Sequence, residues 1–368
     1  MNNVFSFNKI LKLNKNLILS LLLVFFMGIF TLYSASGGSF SPWAEKQIYF
    51  FILFIPIMAL IAFTNINIWY KLAYPIYFVA IILLIYVEFM GHTAMGATRW
   101  IRFGGFSLQP SETMKLAMVI GLARYFSKKN IKQIRQNKYL IVPLLLIVTP
   151  AALVLKQPDL GTAFILLVVG GSVLFIVGVQ WWKFGICLVL LLCAFPVVWK
   201  YTLHDYQKKR LEVFLNPESD PLGSGYNITQ SKIAIGSGGF FGKGYLKGTQ
   251  SQLSFLPEKQ TDFIFTMSTE EIGFVGGFFI IVLYTAITGF VFWTAFNTKH
   301  TFNRIITCGV GAIVFFHVFI NIGMVMGILP VVGVPLPLMS YGGTMTVISM
   351  ISFSFLLNAD LYRDGEIK

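Results

Sequence analysis

Residues 16–36 read NLILSLLLVFFMGIFTLYSAS, a run without a single charged side chain. A helix that crosses a membrane needs about 20 mainly apolar residues, because the hydrocarbon core is roughly 30 Å thick and each residue rises about 1.5 Å. Lys9, Lys12 and Lys15 precede the run and Ser34-Ala35-Ser36 closes it, as in a secretory leader. A leader's apolar core spans only about 7–15 residues. This run is longer, so it predicts a retained first membrane helix.

Working outward, comparable runs lie near 44–64, 70–90, 111–127, 139–156, 159–179, 181–201, 264–296, 304–328 and 337–359. With the first, they make ten candidate spans. The run at 111–127 is the weakest, because it holds Glu112 and Lys115. The composition agrees with this reading. The 368 residues are 56% hydrophobic and 12% charged, with a mean hydropathy of +0.74, whereas soluble domains carry about 25% charged residues. A water-soluble fold this apolar would expose large aggregation-prone patches. The expectation is an all-α integral membrane protein of about ten transmembrane helices, with residues 1–368 as one polytopic domain.

Orientation follows from the charges of the short loops. With the N-terminus in the cytoplasm, the inner connections hold Lys71, Lys128, Lys129, Lys132, Arg135, Lys138, Lys183, Lys299 and Arg304, and the C-terminus adds Arg363 and Lys368. The short outer loops hold Lys46, Arg99, Arg102 and Lys156. That bias matches the positive-inside rule and puts both termini in the cytoplasm. The same rule accounts for the net charge of +13. No basic helix or aromatic-stacking motif accompanies the charge, so no nucleic-acid partner is expected. Residues 202–263 form a long extracytoplasmic loop, polar and Gly-rich but with enough apolar side chains to pack on the bundle. Loops of this length are usually functional or disordered.

No P-loop, nucleophile elbow or zinc-helix motif is present. Cys187, Cys193 and Cys308 sit inside apolar runs without metal-ligand spacing, and His92, His204, His300 and His317 are scattered. What remains is a set of ionisable groups near the outer surface, where each is a functional hypothesis by default. Glu112 and Lys115 are three apart on one helix face and can pair. Asp262 stands where the long loop enters a membrane helix. Half-desolvation there would raise its pKa toward the range of a general base, while an Asp at that place can equally cap the helix. Glu270, Glu271 and Asp159 read as structural. Arg99, Arg102, Lys208, Lys209, Arg210, Lys232, Lys243 and Lys247 together suit a polyanionic ligand, because such cations pair with phosphates.

Several stretches carry a resemblance: GATRWI at 96–101, QPSETMK at 109–115, KQPDLGTA at 156–163, NPE at 216–218, GYNITQS at 225–231, LPEKQTDFIF at 256–265, GILP at 327–330 and PLMSYGGT at 337–344. Taken together and in this order, they resemble the SEDS family (shape, elongation, division and sporulation). The stretches GTQSQ at 248–252 and VVGVP at 331–335 look more like its elongation branch than its division branch.

The resemblance implies a SEDS fold and a peptidoglycan glycosyltransferase that polymerises lipid II on the outer face of the bacterial cytoplasmic membrane. It implies partnership with a class B penicillin-binding protein and with membrane proteins of the elongation complex. It points to Asp262 as the required aspartate and raises Glu112, Lys115 and Arg99 as cavity residues. The expected chemistry makes Asp262 the base for the acceptor hydroxyl. Arg99, Arg102, Lys115, Arg210 and Lys243 are candidates to stabilise the lipid pyrophosphate that leaves, with a divalent cation (Mg or Mn) left open. The rival readings are a lipid II flippase and a non-catalytic scaffold of the wall-synthesis complex.

Overall fold

The computed structural model describes all residues except 1–12, 95–96, 104–105, 202–204, 217–219, 221–222, 254 and 364–368. Lys9, Lys12, Gly96, His204, Pro217, Glu218 and Lys368, and both termini, therefore lie outside the described residues.

Each of the ten apolar runs is a helix. They are α1 (Lys15–Ala35), α2 (Trp43–Phe63), α3 (Ile66–Met90), α4 (Pro110–Ser127), then, after a short α5 (Ile131–Ile134), α6 (Ile141–Lys156), α7 (Leu160–Val177) and α8 (Trp181–Tyr201). The long loop contributes α9 (Asp205–Leu215), α10 (Ser224–Ser237) and the short α11 (Thr249–Gln252), and the last three spans are α12 (Ile264–Asn297), α13 (Thr301–Val325) and α14 (Gly343–Leu361). Among the described residues seven helices are long and apolar enough to cross a membrane, and α6 and the first part of α8 are shorter apolar helices. The chain is a polytopic, mainly α-helical membrane protein.

Two helices differ from their sequence reading in an instructive way. Helix α4, the weakest run, buries 14 of its 18 residues, Glu112 and Lys115 among them. It is an inner helix of the bundle, so its neighbours rather than lipid must satisfy its charges, and a lipid-solubility criterion undervalues it. Helix α12 is not one rod. Gly273 adopts φ 78° and ψ −165°, which breaks the helix. The freed amides of Phe274 and Val275 donate to the carbonyls of Gly239 (2.9 Å) and Phe240 (3.2 Å). The freed carbonyls of Glu270 and Glu271 accept from the amides of Lys243 (3.0 Å) and Gly244 (3.1 Å). The loop between α10 and α11 thus replaces the missing helical bonds, as a buried backbone requires.

The all-α architecture carries one small addition. Between α3 and α4 the chain forms three short antiparallel strands, β1 (His92–Ala94), β2 (Ala97–Phe103) and β3 (Phe106–Leu108), in the order β1-β2-β3. The pairing sets His92 opposite Trp100 and Arg102 opposite Ser107. The stretch is too short and too rich in glycine for a further helix, and the ladder satisfies its backbone instead.

Caps fix several helix starts. Asn14, Asn65 and Asp159 accept from the amides of Leu17 (3.1 Å), Asn67 (2.9 Å) and Thr162 (3.1 Å), each bonding an otherwise orphaned donor. Chain order places the connections 36–42, 91–109, 157–159, 202–263 and 326–342 on one face of the bundle. The basic connections lie on the other, where Arg124 donates to the carbonyls of Tyr70 (2.7 Å) and Lys71 (2.6 Å) and packs over the Tyr74 ring.

Candidate active site

On the first of these faces the bundle opens into a cavity of about 910 Å³. Its walls come from β2 (Arg99, Trp100, Arg102), the start of α4 (Gln109, Glu112), the α6–α7 turn (Pro158), α9 (Lys209, Arg210), the approach to α12 (Glu258, Thr261, Asp262) and the segment leading into α14 (Val332, Gly333, Pro335, Tyr341, Gly342). The volume lies near the upper end of that of small-molecule sites, about 300–1,000 Å³.

Asp262 sits on this wall, and its surroundings explain its state. The N-cap of α12 is Phe263, with no side-chain capping bond, so Asp262 is not doing a cap's work. No described residue donates a hydrogen bond to its carboxylate. Burial pushes the carboxyl up to about 7; the neighbouring Glu258 carboxylate adds to the rise, and the Arg210 guanidinium opposes it. That value suits a base working near neutral pH.

The backbone around Asp262 is pinned. Ser340 Oγ donates to the Thr261 carbonyl (2.7 Å) and accepts from the Leu336 amide (2.8 Å). The Tyr341 amide donates to the Gln260 carbonyl (2.9 Å). Gln47 of α2, fully buried, donates to the carbonyls of Leu338 (3.3 Å) and Ser340 (3.1 Å). Gly333 has φ +76°, and a Cβ there would lie 3.2 Å from Asp262 Oδ2. Glu258, at φ 53°, accepts from Gln260 Nε2 (3.1 Å) and Thr261 Oγ1 (3.1 Å).

The cations divide into two groups. Arg99, Arg102, Lys209 and Arg210 line the cavity. Arg99 is also moored to the α6–α7 turn, donating to the carbonyls of Gln157 (3.4 Å) and Pro158 and facing Asp159 at 3.6 Å. Lys209 faces Asp220 at 3.2 Å. The structure does not bring Lys115 or Lys243 to the wall. Lys115 is buried beneath it, donating to Glu112 at 2.7 Å and to His317 Nε2 at 2.7 Å. Lys243 pairs with Glu270 at 2.8 Å and touches Thr249 at 2.6 Å, beside the break in α12. Glu270 is fully buried and needs that counter-charge. Glu271 accepts from Ser34 Oγ (2.5 Å) and Gln252 (3.4 Å). Both glutamates are therefore structural.

Sequence reading gave no site role to Glu258, Gln47, His317 or Asn321. For His317 a signal was available: a single ionisable residue in the middle of an apolar run is unusual enough to ask for its partner. Among the described residues no three His, Cys, Asp or Glu side chains gather to hold a metal ion.

The fold and the cavity define a class: polytopic membrane proteins with a carboxylate and cation-lined site at one end of the helical bundle. The chain matches the FtsW/RodA/SpoVE family, described as cell cycle protein, over residues 14–365, and it belongs to that family. It is 41% identical over 351 residues to the peptidoglycan glycosyltransferase MrdB of Escherichia coli K12, covering 95% of this chain and 94% of that one. It is 35% identical to the stage V sporulation protein E of Bacillus subtilis, covering 94% and 96%. Among solved structures it is similar to a chain described under structural coordination of polymerization and crosslinking by a peptidoglycan synthase complex. That match has a TM-score of 0.84 and 29% identity and covers 96% of this chain and 99% of that one. The fold also matches the Thermus thermophilus rod shape determining protein RodA, with a TM-score of 0.73 at 24% identity, covering 96% and 98%.

Proposed function

We propose that this chain is a peptidoglycan glycosyltransferase that polymerises lipid II into glycan strands during cell elongation. The carrying observation is Asp262: a carboxyl raised to about 7, without a capping role, on the wall of a cavity lined with four cations. Its relatives named peptidoglycan glycosyltransferases support the reaction. Asp262 removes the proton from the acceptor sugar hydroxyl as that oxygen attacks the donor anomeric carbon. The bond from that carbon to the lipid pyrophosphate breaks, and the pyrophosphate leaves with the electron pair. Single displacement inverts the anomeric centre. Arg99, Arg102, Lys209 and Arg210 are placed in advance to stabilise the charge that develops on the leaving group.

The basic connections opposite the cavity make that side cytoplasmic. The site then faces outward from the cytoplasmic membrane, and both termini lie inside. A class B penicillin-binding protein is the partner proposed, in line with the peptidoglycan synthase complex of the similar structure. The flippase reading predicts charged residues along a path through the whole membrane, whereas these groups gather at one end of the bundle. The deciding experiment is glycan-strand formation from purified lipid II with the transpeptidase supplied. Polymer from the wild type alone, with Asp262→Asn folded and partner-bound, is expected. Equal polymer from both would remove Asp262 as the base, and none from either would favour transport or scaffolding.

A further inference from the structure

Helix α13 contributes nothing to the cavity lining, yet two of its buried side chains reach the pieces that do. Asn321 donates through Nδ2 to the Asp262 carbonyl (2.9 Å) and to the Val334 carbonyl (2.7 Å). Both contacts are carbonyl oxygens, so only the amide nitrogen can face them. The other amide atom, Oδ1, has no partner among the described residues. The two donated bonds are therefore what the side chain does. One turn earlier, and so on the same face, His317 stands between Lys115 Nζ (2.7 Å) and the Pro335 carbonyl (3.1 Å). An ammonium can only donate, and a carbonyl can only accept. The imidazole must then accept at Nε2 and donate from Nδ1, which makes it neutral and fixes its tautomer.

These contacts join separate stretches of the wall. Glu112 and Pro335 both line the cavity, and the path from one to the other runs through Lys115 and His317 behind the wall. Asp262 and Gly333 also line it, and Asn321 ties the first to Val334, next to the second. We infer that Asn321 and His317 are positioning residues: Asn321 sets where Asp262 stands against the 333–335 segment, and His317 holds that segment to the buried Glu112–Lys115 pair. This rests on the glycosyltransferase reading for its effect on turnover but not for its effect on Asp262 itself. A base that is misplaced by about 1 Å loses on the order of 100-fold in rate.

The test uses the full-length chain with its transpeptidase partner, supplied with purified lipid II. Turnover per folded molecule and the half-saturating lipid II concentration are measured for Asn321→Ala, His317→Phe and His317→Gln. The first two are expected to lower maximal turnover by about 10- to 100-fold while half-saturation stays within about threefold. A glutamine at 317 can donate to the Pro335 carbonyl and accept from Lys115, so it should restore turnover to within about threefold of wild type. Unchanged turnover in His317→Phe, or a glutamine variant no better than the phenylalanine, overturns the role of His317.

A second readout needs no substrate. The infrared band of the Asp262 carboxyl, identified by its loss in Asp262→Asn, is titrated in the wild type and in Asn321→Ala. Glu258, Arg210, Lys209, Arg99, Arg102 and Glu112 share the cavity and are unchanged in both. Freed from its anchor, the carboxyl opens to water, and its midpoint should fall by about one unit or more. A midpoint that stays in place overturns the anchoring whichever way polymerisation falls, and a wild type that makes no polymer strikes the reaction instead.

Discussion

Asp262, half-buried, and Glu270, fully buried, stand eight residues apart on the same stretch of chain, and they have opposite fates. Glu270 is fully buried and surrounded by donors: the Lys243 ammonium, the Thr249 hydroxyl (3.2 Å) and the Gln250 amide (2.9 Å). Asp262 receives no such bond from the described residues, and Arg99, Arg102, Lys209 and Arg210 line the same cavity. A buried charge that is paired is a fastener. A half-buried carboxyl that meets no donor, on the wall of a cavity that cations also line, is open to a ligand. The donor inventory, more than depth, tells the two apart.

The comparison can be broken most severely at Asp262. Asp262→Asn should lower glycan polymerisation by about 10²–10⁴-fold, the contribution of a general base, with expression and partner capture close to wild type. A loss of folded protein instead would make Asp262 a fastener like Glu270. Next in size is Lys243→Met, which strands the Glu270 carboxylate. It should cost about 3 kcal/mol of stability, visible as a lower thermal midpoint, while turnover of the surviving folded molecules stays within about threefold. A tenfold drop per folded molecule would return Lys243 to the substrate contacts that its basic surroundings suggested.

The effect of pH sharpens the contrast. The folded-state pKa of Asp262 is raised to about 7, so the fold holds a proton that the unfolded chain releases near 4. Stability therefore falls as pH rises through that window. Asp262→Asn should exceed wild type in stability at pH 8 by about 1–2 kcal/mol after solvent screening. The gap should close as pH approaches 4; a gap independent of pH would refute the raised value. Activity runs the other way and needs the ionised base, so it should be lost below about pH 7. The smallest effect is at Gly333, where alanine must adopt a positive φ and crowd Asp262 Oδ2. A cost of about 1 kcal/mol is expected, with a larger fractional loss of turnover than of stability. Equal losses would show that the glycine serves the fold alone.

Much of the architecture was legible because lipid imposes a length rule: every apolar run became a helix, with ends shifted by a few residues. Asp159 was read as structural and caps α7, and the Glu112–Lys115 pair followed from helical spacing. Three features escaped for distinct reasons. The three short strands of 92–108 carry no periodicity long enough to count. The run 264–296 is apolar throughout, and a glycine at 273 does not announce its own dihedral angles. The Lys115–His317 and Asp262–Asn321 contacts join residues 202 and 59 positions apart, and no local pattern encodes such pairings. The wall cations were found by charge alone, which is why Lys243 was grouped with Arg102 and Arg210 although it faces elsewhere.

The broken helix also bears on how the protein is made. The insertion machinery meets residues 264–297 as one hydrophobic segment, but no straight rod can be released into lipid there, because the backbone groups around Gly273 would be left bare at several kcal/mol each. The stretch that covers them, 239–244, is synthesised just before the helix and is available when it arrives. Late assembly is thus built into the primary order of the chain, splint first and break second. A permutation or insertion that reversed that order would be expected to fail at biogenesis before it failed at catalysis, and pulse-labelling of newly made protein against protease would reveal it.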